Sequence, residues 1–148
     1  MQFRVQNLTV HKFGGASVKD ADAVRNVESI LQKCLVSPAV VVVSAMGKTT
    51  NKLEQVFSTL VSDGFDKSLE ELNEIVIAHQ KVIDALSIEL DLRELFVTAL
   101  KNSSQLDDIN AAYDELVASG EDASTKILFA YLDSNSWDVE WRDVRDII

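Results

Sequence analysis

Lys12-Phe13-Gly14-Gly15-Ala16-Ser17-Val18 puts a cation, two adjacent glycines and a hydroxyl into one short stretch. Without a Cβ, paired glycines let the backbone come close to a ligand. The N–H groups of such a turn, and of a helix that follows it, favour an anion. Lys12 adds a full positive charge beside them. A phosphate suits this chemistry. The plainer reading is a tight strand-to-helix turn with a surface lysine, and the glycine pair alone does not decide between the two.

Two further stretches carry candidate groups. Ser44-Ala45-Met46-Gly47-Lys48-Thr49-Thr50-Asn51 is a polar loop feeding a helix. The hydroxyls of Ser44 and Thr50 are placed to bind a substrate or to cap that helix; Thr49, Thr50 and Asn51 are all candidate N-caps. Gly47-Lys48-Thr49 looks like the end of a P-loop. That pattern needs a glycine five residues earlier, where Val42 stands inside a strand, so a P-loop is rejected. In Ser119-Gly120-Glu121-Asp122-Ala123-Ser124-Thr125, serine and glycine close one helix and Glu121 falls in the first turn of the next. An acid is favoured there by the helix dipole alone, and it is also placed to bind an amino group. His79 and His11 have no partner at metal-ligand spacing, so no metal site is expected, and a packed or half-exposed histidine is. Cys34 is the single cysteine, which excludes an internal disulfide. It falls on the apolar side of a helix and is expected to be a buried thiol.

These groups need elements to hold them. Residues 8–13 alternate as a short strand, and Ser17-Val18-Lys19-Asp20 has the form of a capping box. Val24, Val27, Leu31, Cys34 and Leu35 recur at helical spacing, predicting a helix over about 18–35 that Ser37-Pro38 ends. The run Ala39-Val40-Val41-Val42-Val43 reads as a parallel strand buried on both faces. Ligands of such sheets bind at the carboxyl ends of the strands, where the Lys12 turn and the Ser44 loop both begin. Leu53, Val56, Phe57, Leu60 and Val61 make the stripe of the next helix, and Asp63-Gly64-Phe65-Asp66 a turn. Further helices are expected through Leu69–Leu86, through Leu92–Leu100 with a break at Asn102-Ser103-Ser104, through Leu106–Val117, and from Ile127 to a turn at 133–136. This helix-rich middle reads as a scaffold, or as a helical layer covering one side of the sheet. Trp137, Val139 and Trp141 alternate as a last strand, and Val144, Ile147 and Ile148 resemble the start of an element that needs partners.

Composition narrows the class. The 148 residues are one domain's worth, with 47% hydrophobic and 26% charged residues. A net charge of −10 spread over helical faces argues against nucleic acid and against anionic membrane surfaces. No apolar run reaches the about 18 residues of a membrane span, and residues 1–7 lack the apolar core of a signal peptide. A cytoplasmic protein is expected.

Taken together, the stretches resemble the aspartate kinases. Lys12-Phe13-Gly14-Gly15-Ala16-Ser17-Val18 is similar to that family's signature, which usually has threonine in place of Ala16. Val42-Val43-Ser44-Ala45-Met46-Gly47 with Thr50-Asn51 resembles its second motif. Ser119-Gly120-Glu121 with Ser124 resembles the third, and Trp141-x-Asp143-Val144-Arg145 a weaker fourth. Asp122-Ala123 departs from the usual basic–apolar pair. The resemblance implies an α/β fold, the three-layer α/β/α sandwich of the amino-acid kinase (carbamate kinase-like) type, here its amino-terminal, aspartate-binding portion. The nucleotide-binding half and the regulatory domains would lie outside these residues. It implies transfer of the γ-phosphoryl of MgATP to the side-chain carboxylate of L-aspartate, giving 4-phospho-L-aspartate on the route to lysine, threonine and methionine. Lys12 would hold the transferring phosphoryl as the catalytic cation. Phe13, Gly14, Gly15 and Ser17 would line the phosphates, with Gly14 and Gly15 donating backbone N–H groups. Ser44 and Thr50 would contact aspartate and Glu121 its α-ammonium. The whole protein would be a homo-oligomer, a dimer, and this portion alone would not turn over. A glutamate, acetylglutamate or nucleoside-monophosphate kinase, and a non-catalytic α/β binding or pairing module, are the other readings.

Overall fold

The computed structural model describes residues 8–35 and 38–147. Residues 1–7, Ser37 and Ile148, on which parts of the sequence reading rest, lie outside the described residues.

Strands β1 (Thr9–Phe13) and β2 (Ala39–Val43) pair in parallel, Lys12 opposite Val42 and Phe13 opposite Val43. The strands fall where the alternation and the β-branched run put them. Burial follows the pleat, which sends successive side chains to opposite faces. Phe13 and Val43 are buried, and His11 and Val41 half-buried, on the face that the helices cover. Leu8, Val10, Val40 and Val42 are exposed on the other, with Val10 at 61%. The expected burial on both faces is therefore corrected: a helical layer covers one face only among the described residues. Lys12 projects from the open face.

The glycine turn leads into a 3-10 turn (Gly15–Val18), and helix α1 (Ala21–Cys34) begins three residues later. This replaces the continuous helix expected over about 18–35. The capping box does not form. Asp20 is the N-cap instead, its carboxylate accepting from the Ala23 N–H at 2.8 Å. Val24, Val27 and Leu31 are buried as the spacing predicts. Cys34 is not: it is exposed. It is the last residue of α1, past the point where neighbouring elements cover the stripe.

Helices α2 (Thr49–Asp63) and α3 (Phe65–Ala85) form a hairpin about Gly64, whose φ of 93° suits glycine. The turn expected over 63–66 is thus a single residue. α2 has Lys48 at its N-cap with no side-chain cap, so Thr49, Thr50 and Asn51 are not caps. Helix α4 (Arg93–Gln105) runs straight through Asn102-Ser103-Ser104, where a break was expected. The polar triplet is satisfied sideways: Ser103 Oγ donates to the Ala112 carbonyl at 2.6 Å, and Asn102 donates to Glu115 at 2.9 Å. Both partners lie on α5 (Ile109–Val117), which Asp108 caps through the N–H groups of Asn110 and Ala111.

Helix α6 (Ser119–Ser134) starts directly after α5, so Ser119 and Gly120 open this helix and form no loop. Residues 137–141 join no strand ladder among the described residues, which corrects the expected last strand. Their alternation serves anchoring: Trp137 Nε1 donates to Glu28 at 2.9 Å and Trp141 Nε1 to Thr125 Oγ1 at 3.0 Å. Phe96, Leu72, Ile75, Ile83, Leu100, Leu116 and Ile127 form the centre of the core, all at 2% exposure or less. The helical middle acts as the scaffold its composition suggested.

Candidate active site

The carboxyl ends of β1 and β2 lie side by side, and three chain segments meet there. The Ser44 N–H donates to the Phe13 carbonyl at 3.0 Å, and the Gly47 N–H to the Gly15 carbonyl at 2.9 Å. The Lys12–Ser17 turn and the Ser44–Thr50 loop are therefore one backbone-linked unit. Gly47 holds it with a φ of +52°. The two glycines of the turn differ. A Cβ on Gly15 would come within 2.6 Å of the Ala45 carbonyl oxygen, so that position needs glycine for packing. A Cβ on Gly14 would meet nothing within 4 Å, and its φ of −75° suits any residue. Open space at Gly14 is where a ligand can approach the backbone. Lys12 is exposed beside it, and so is Ser17, whose N–H is taken by the Gly14 carbonyl at 2.9 Å. The first N–H groups of a helical turn, here those of Gly15 and Ala16, have no partner inside it.

The third segment is the start of α6. Gly120 is pressed onto the β2–α2 loop: a Cβ there would lie 3.1 Å from Ala45 Cβ and from Leu53 Cδ1, and 3.3 Å from Thr49 Cγ2. Ser124 Oγ donates to the Ser44 carbonyl at 2.7 Å. Glu121 stands in the first turn of α6, half-buried, as do Ser44 and Thr50 in their own segments. Lys12, Phe13, Gly14, Gly15, Ser17, Ser44, Thr50 and Glu121 thus belong to three segments, of which the Ser44–Thr50 loop touches both of the others.

Two features of this region escaped the sequence reading. The bond made by Ser124 is one; the sequence sets that residue beside Glu121 but does not show its acceptor, the Ser44 carbonyl. The other is a charged clamp. Arg145 Nη2 lies 2.9 Å from Asp122 Oδ2 and 2.6 Å from Asp143 Oδ2. Hydrogen bonds from the Arg145 side chain and backbone hold the Asp143 carboxyl down at about 2. The same Asp143 contact pushes the Arg145 guanidinium up, with the charge of Asp122 adding to it. Asp122 therefore ties the 3-10 turn Val144–Asp146 to α6. Lys126 Nζ sits 4.0 Å from the centre of the Trp141 ring in the same region. Among the described residues, no group of three or more His, Cys, Asp and Glu side chains is arranged to hold a metal ion. His79 is packed at 3% exposure, edge-on to Phe96, with Nδ1 2.8 Å from the Ile75 carbonyl. No helix among the described residues is long and apolar enough to cross a membrane.

Comparison with known proteins gives the same direction. The profile described as the Amino acid kinase family matches residues 7–148. The chain is similar to aspartokinase 2, chloroplastic, of Arabidopsis thaliana: 35% identical over 130 residues, 83% of this chain and 24% of that protein. Lysine-sensitive aspartokinase 3 of Escherichia coli (strain K12) is 28% identical over 148 residues, 97% of this chain and 32% of that protein. The solved structure of E. coli aspartokinase III in complex with aspartate and ADP matches with a TM-score of 0.78 at 28% identity. That match covers 96% of this chain and 32% of the other. The chain thus spans between 24% and 32% of the length of these relatives. The α/β class read from the strand–helix–strand opening agrees with that structure. With the family profile running over residues 7–148 and the site built on its strand ends, the chain belongs to the amino acid kinase family, where it is similar to aspartokinases.

Proposed function

We propose that this chain is the aspartate-binding side of an aspartate kinase domain that continues beyond these 148 residues. The reaction is attack of the aspartate side-chain carboxylate on the γ-phosphorus of MgATP. A C–O–P bond forms, the bond to the β-phosphate oxygen breaks, and 4-phospho-L-aspartate and ADP leave. One observation carries the reading: Ser44 is bonded through its backbone both to the strand of Lys12 and to the helix of Glu121. The aspartate and ADP named for the solved E. coli relative support it.

In this reading the residues divide the work by charge. Phosphoryl transfer asks a protein for positioning and for positive charge more than for covalent chemistry. Lys12 offsets the charge that develops on the transferring group. Gly14 and Gly15 offer backbone N–H groups, and Phe13 and Ser17 complete the phosphate side; the open space at Gly14 fits that use. Ser44 and Thr50 donate hydroxyl hydrogen bonds to aspartate, and Glu121 holds its ammonium. Magnesium arrives with the nucleotide as part of the substrate. A cytoplasmic setting and a dimeric whole protein belong to the same proposal. A single free thiol fits the first, and light scattering on the whole protein checks the second.

The test is an amide NMR titration with L-aspartate and then MgATP. Saturable shifts at Ser44, Thr50 and Glu121 for aspartate, and at Gly14 and Gly15 for MgATP, are expected. Lys12→Ala should abolish the second set. Shifts elsewhere with this edge silent would favour a binding module. A hydroxamate assay should give no turnover from this chain alone.

A further inference from the structure

The hydroxyl of Ser124 has no part in the roles above, yet it is 1% exposed and lies at the centre of the site's framework. A serine has one hydrogen to donate. Two carbonyls face it: Ser44 O at 2.7 Å and Glu121 O at 3.1 Å. The longer contact, to the residue three positions back, is one that helical serines commonly make. The shorter crosses from α6 to the β2–α2 loop between residues 80 apart in sequence. Ser119 offers a contrast on the same helix. It is 2% exposed, and its hydroxyl donates at 2.6 Å to Leu116, in the turn just before it.

The crossing bond completes a line. The strand end carrying Lys12 and Phe13 accepts from the Ser44 N–H. The Ser44 carbonyl accepts from Ser124. Ser124 lies one turn along α6 from Glu121. Gly120 presses the same helix start onto Ala45 and Leu53 with no slack. The phosphoryl end of the site and its ammonium end are thus linked through the Ser44 loop by hydrogen bonds and close contact.

We propose that Ser124 is a positioning residue that fixes the span between the Lys12 strand end and Glu121, and so sets the length of amino-acid substrate the site accepts. The proposal rests on the aspartate-kinase reading. Aspartate bridges that span with its ammonium at Glu121 and its side-chain carboxylate towards Lys12. Glutamate is one methylene longer and misplaces one end or the other. A fitted site discriminates an extra methylene by about 10–200-fold. Such discrimination requires that the supporting contacts not give.

The experiment compares L-aspartate with L-glutamate by amide NMR titration of the wild-type chain, Ser124→Ala and Ser119→Ala. Thermal melts of each variant report folding. Ser124→Ala is expected to lower the aspartate-over-glutamate affinity ratio about tenfold, mainly by weakening aspartate. Ser119→Ala loses a hydrogen bond of the same kind and should leave the ratio unchanged. Ser124→Cys keeps the shape with a larger atom and a weaker donor; its ratio should fall between, and it replaces Ser124→Ala if that variant does not fold. A ratio that is the same in Ser124→Ala, or in its replacement, as in Ser119→Ala overturns the proposal. A wild-type chain with no aspartate shifts at Ser44, Thr50 or Glu121 overturns the aspartate reading itself, and this proposal with it. The two failures are distinct because in the first the wild type binds.

Discussion

Gly15 lies against the Ala45 carbonyl so closely that an added Cβ would stand 2.6 Å from the oxygen. Its neighbour Gly14 has open space where its own Cβ would stand. The pair therefore separates packing from ligand access. Gly15→Ala should destabilise the chain by about 1–3 kcal/mol, because the obstacle is backbone and cannot rotate away. Gly14→Ala should leave stability within about 0.5 kcal/mol, as at an unencumbered surface position. It should nevertheless weaken MgATP binding. Urea denaturation of both variants, with nucleotide titration of the second, checks the contrast; equal loss of stability would refute it.

Glu28 gathers three donors from the far end of α6 and beyond. Tyr131 Oη donates at 2.8 Å, Trp137 Nε1 at 2.9 Å and Asn135 Nδ2 at 3.2 Å. Burial and this carboxylate raise the Tyr131 hydroxyl above its ordinary range. Glu28→Ala should cost about 1–3 kcal/mol, since hydrogen bonds to a charged acceptor are the stronger kind. Glu28→Gln should cost less. Melting temperatures rank the two, and tryptophan fluorescence should shift to the red as Trp137 is released.

His79 gives the fold a pH dependence. Burial is the main cause that lowers its affinity for a proton, with the charge of Lys52 adding to it, and its Nε2 is buried without a partner among the described residues. The folded state thus binds this proton less readily than the unfolded chain, whose histidine titrates near about 6.5. Stability from this group is complete above that pH and declines as pH falls below it, down through the folded-state value. Denaturation midpoints between pH 7.5 and 5 should show the decline (working range about 5–8), and His79→Gln should flatten it.

Cys34 should react with a soluble thiol reagent in the native chain nearly as fast as in the unfolded one, because it is exposed at the end of α1. Protection by folding would refute that placement.

What the sequence disclosed depended on whether the deciding contact was local. The β1–α1–β2 order, Glu121 in a first turn and a packed His79 all follow from short-range pattern. Misreadings arose where a partner far along the chain decided. The Val40 and Val42 pattern says "buried", but no described element covers that face. Asn102-Ser103-Ser104 reads as a break until α5 supplies acceptors. The alternation of Trp137 and Trp141 mimics a strand because both indoles reach down to donate to α1 and α6. Ser124 stands out in the third motif, but its contact does not, since its principal acceptor is 80 residues away.

That separation also bears on the order of assembly. The α2–α3 hairpin closes over one residue, Gly64, and needs nothing distant to form. The Ser124–Ser44 bond cannot form until the intervening helices have brought α6 back to the strand ends. Closure entropy is met late for such contacts, and they lag behind local ones. The join between α6 and the strand ends is thus expected to form after the α2–α3 hairpin, so a half-folded chain would hold the hairpin before Ser44 and Ser124 meet.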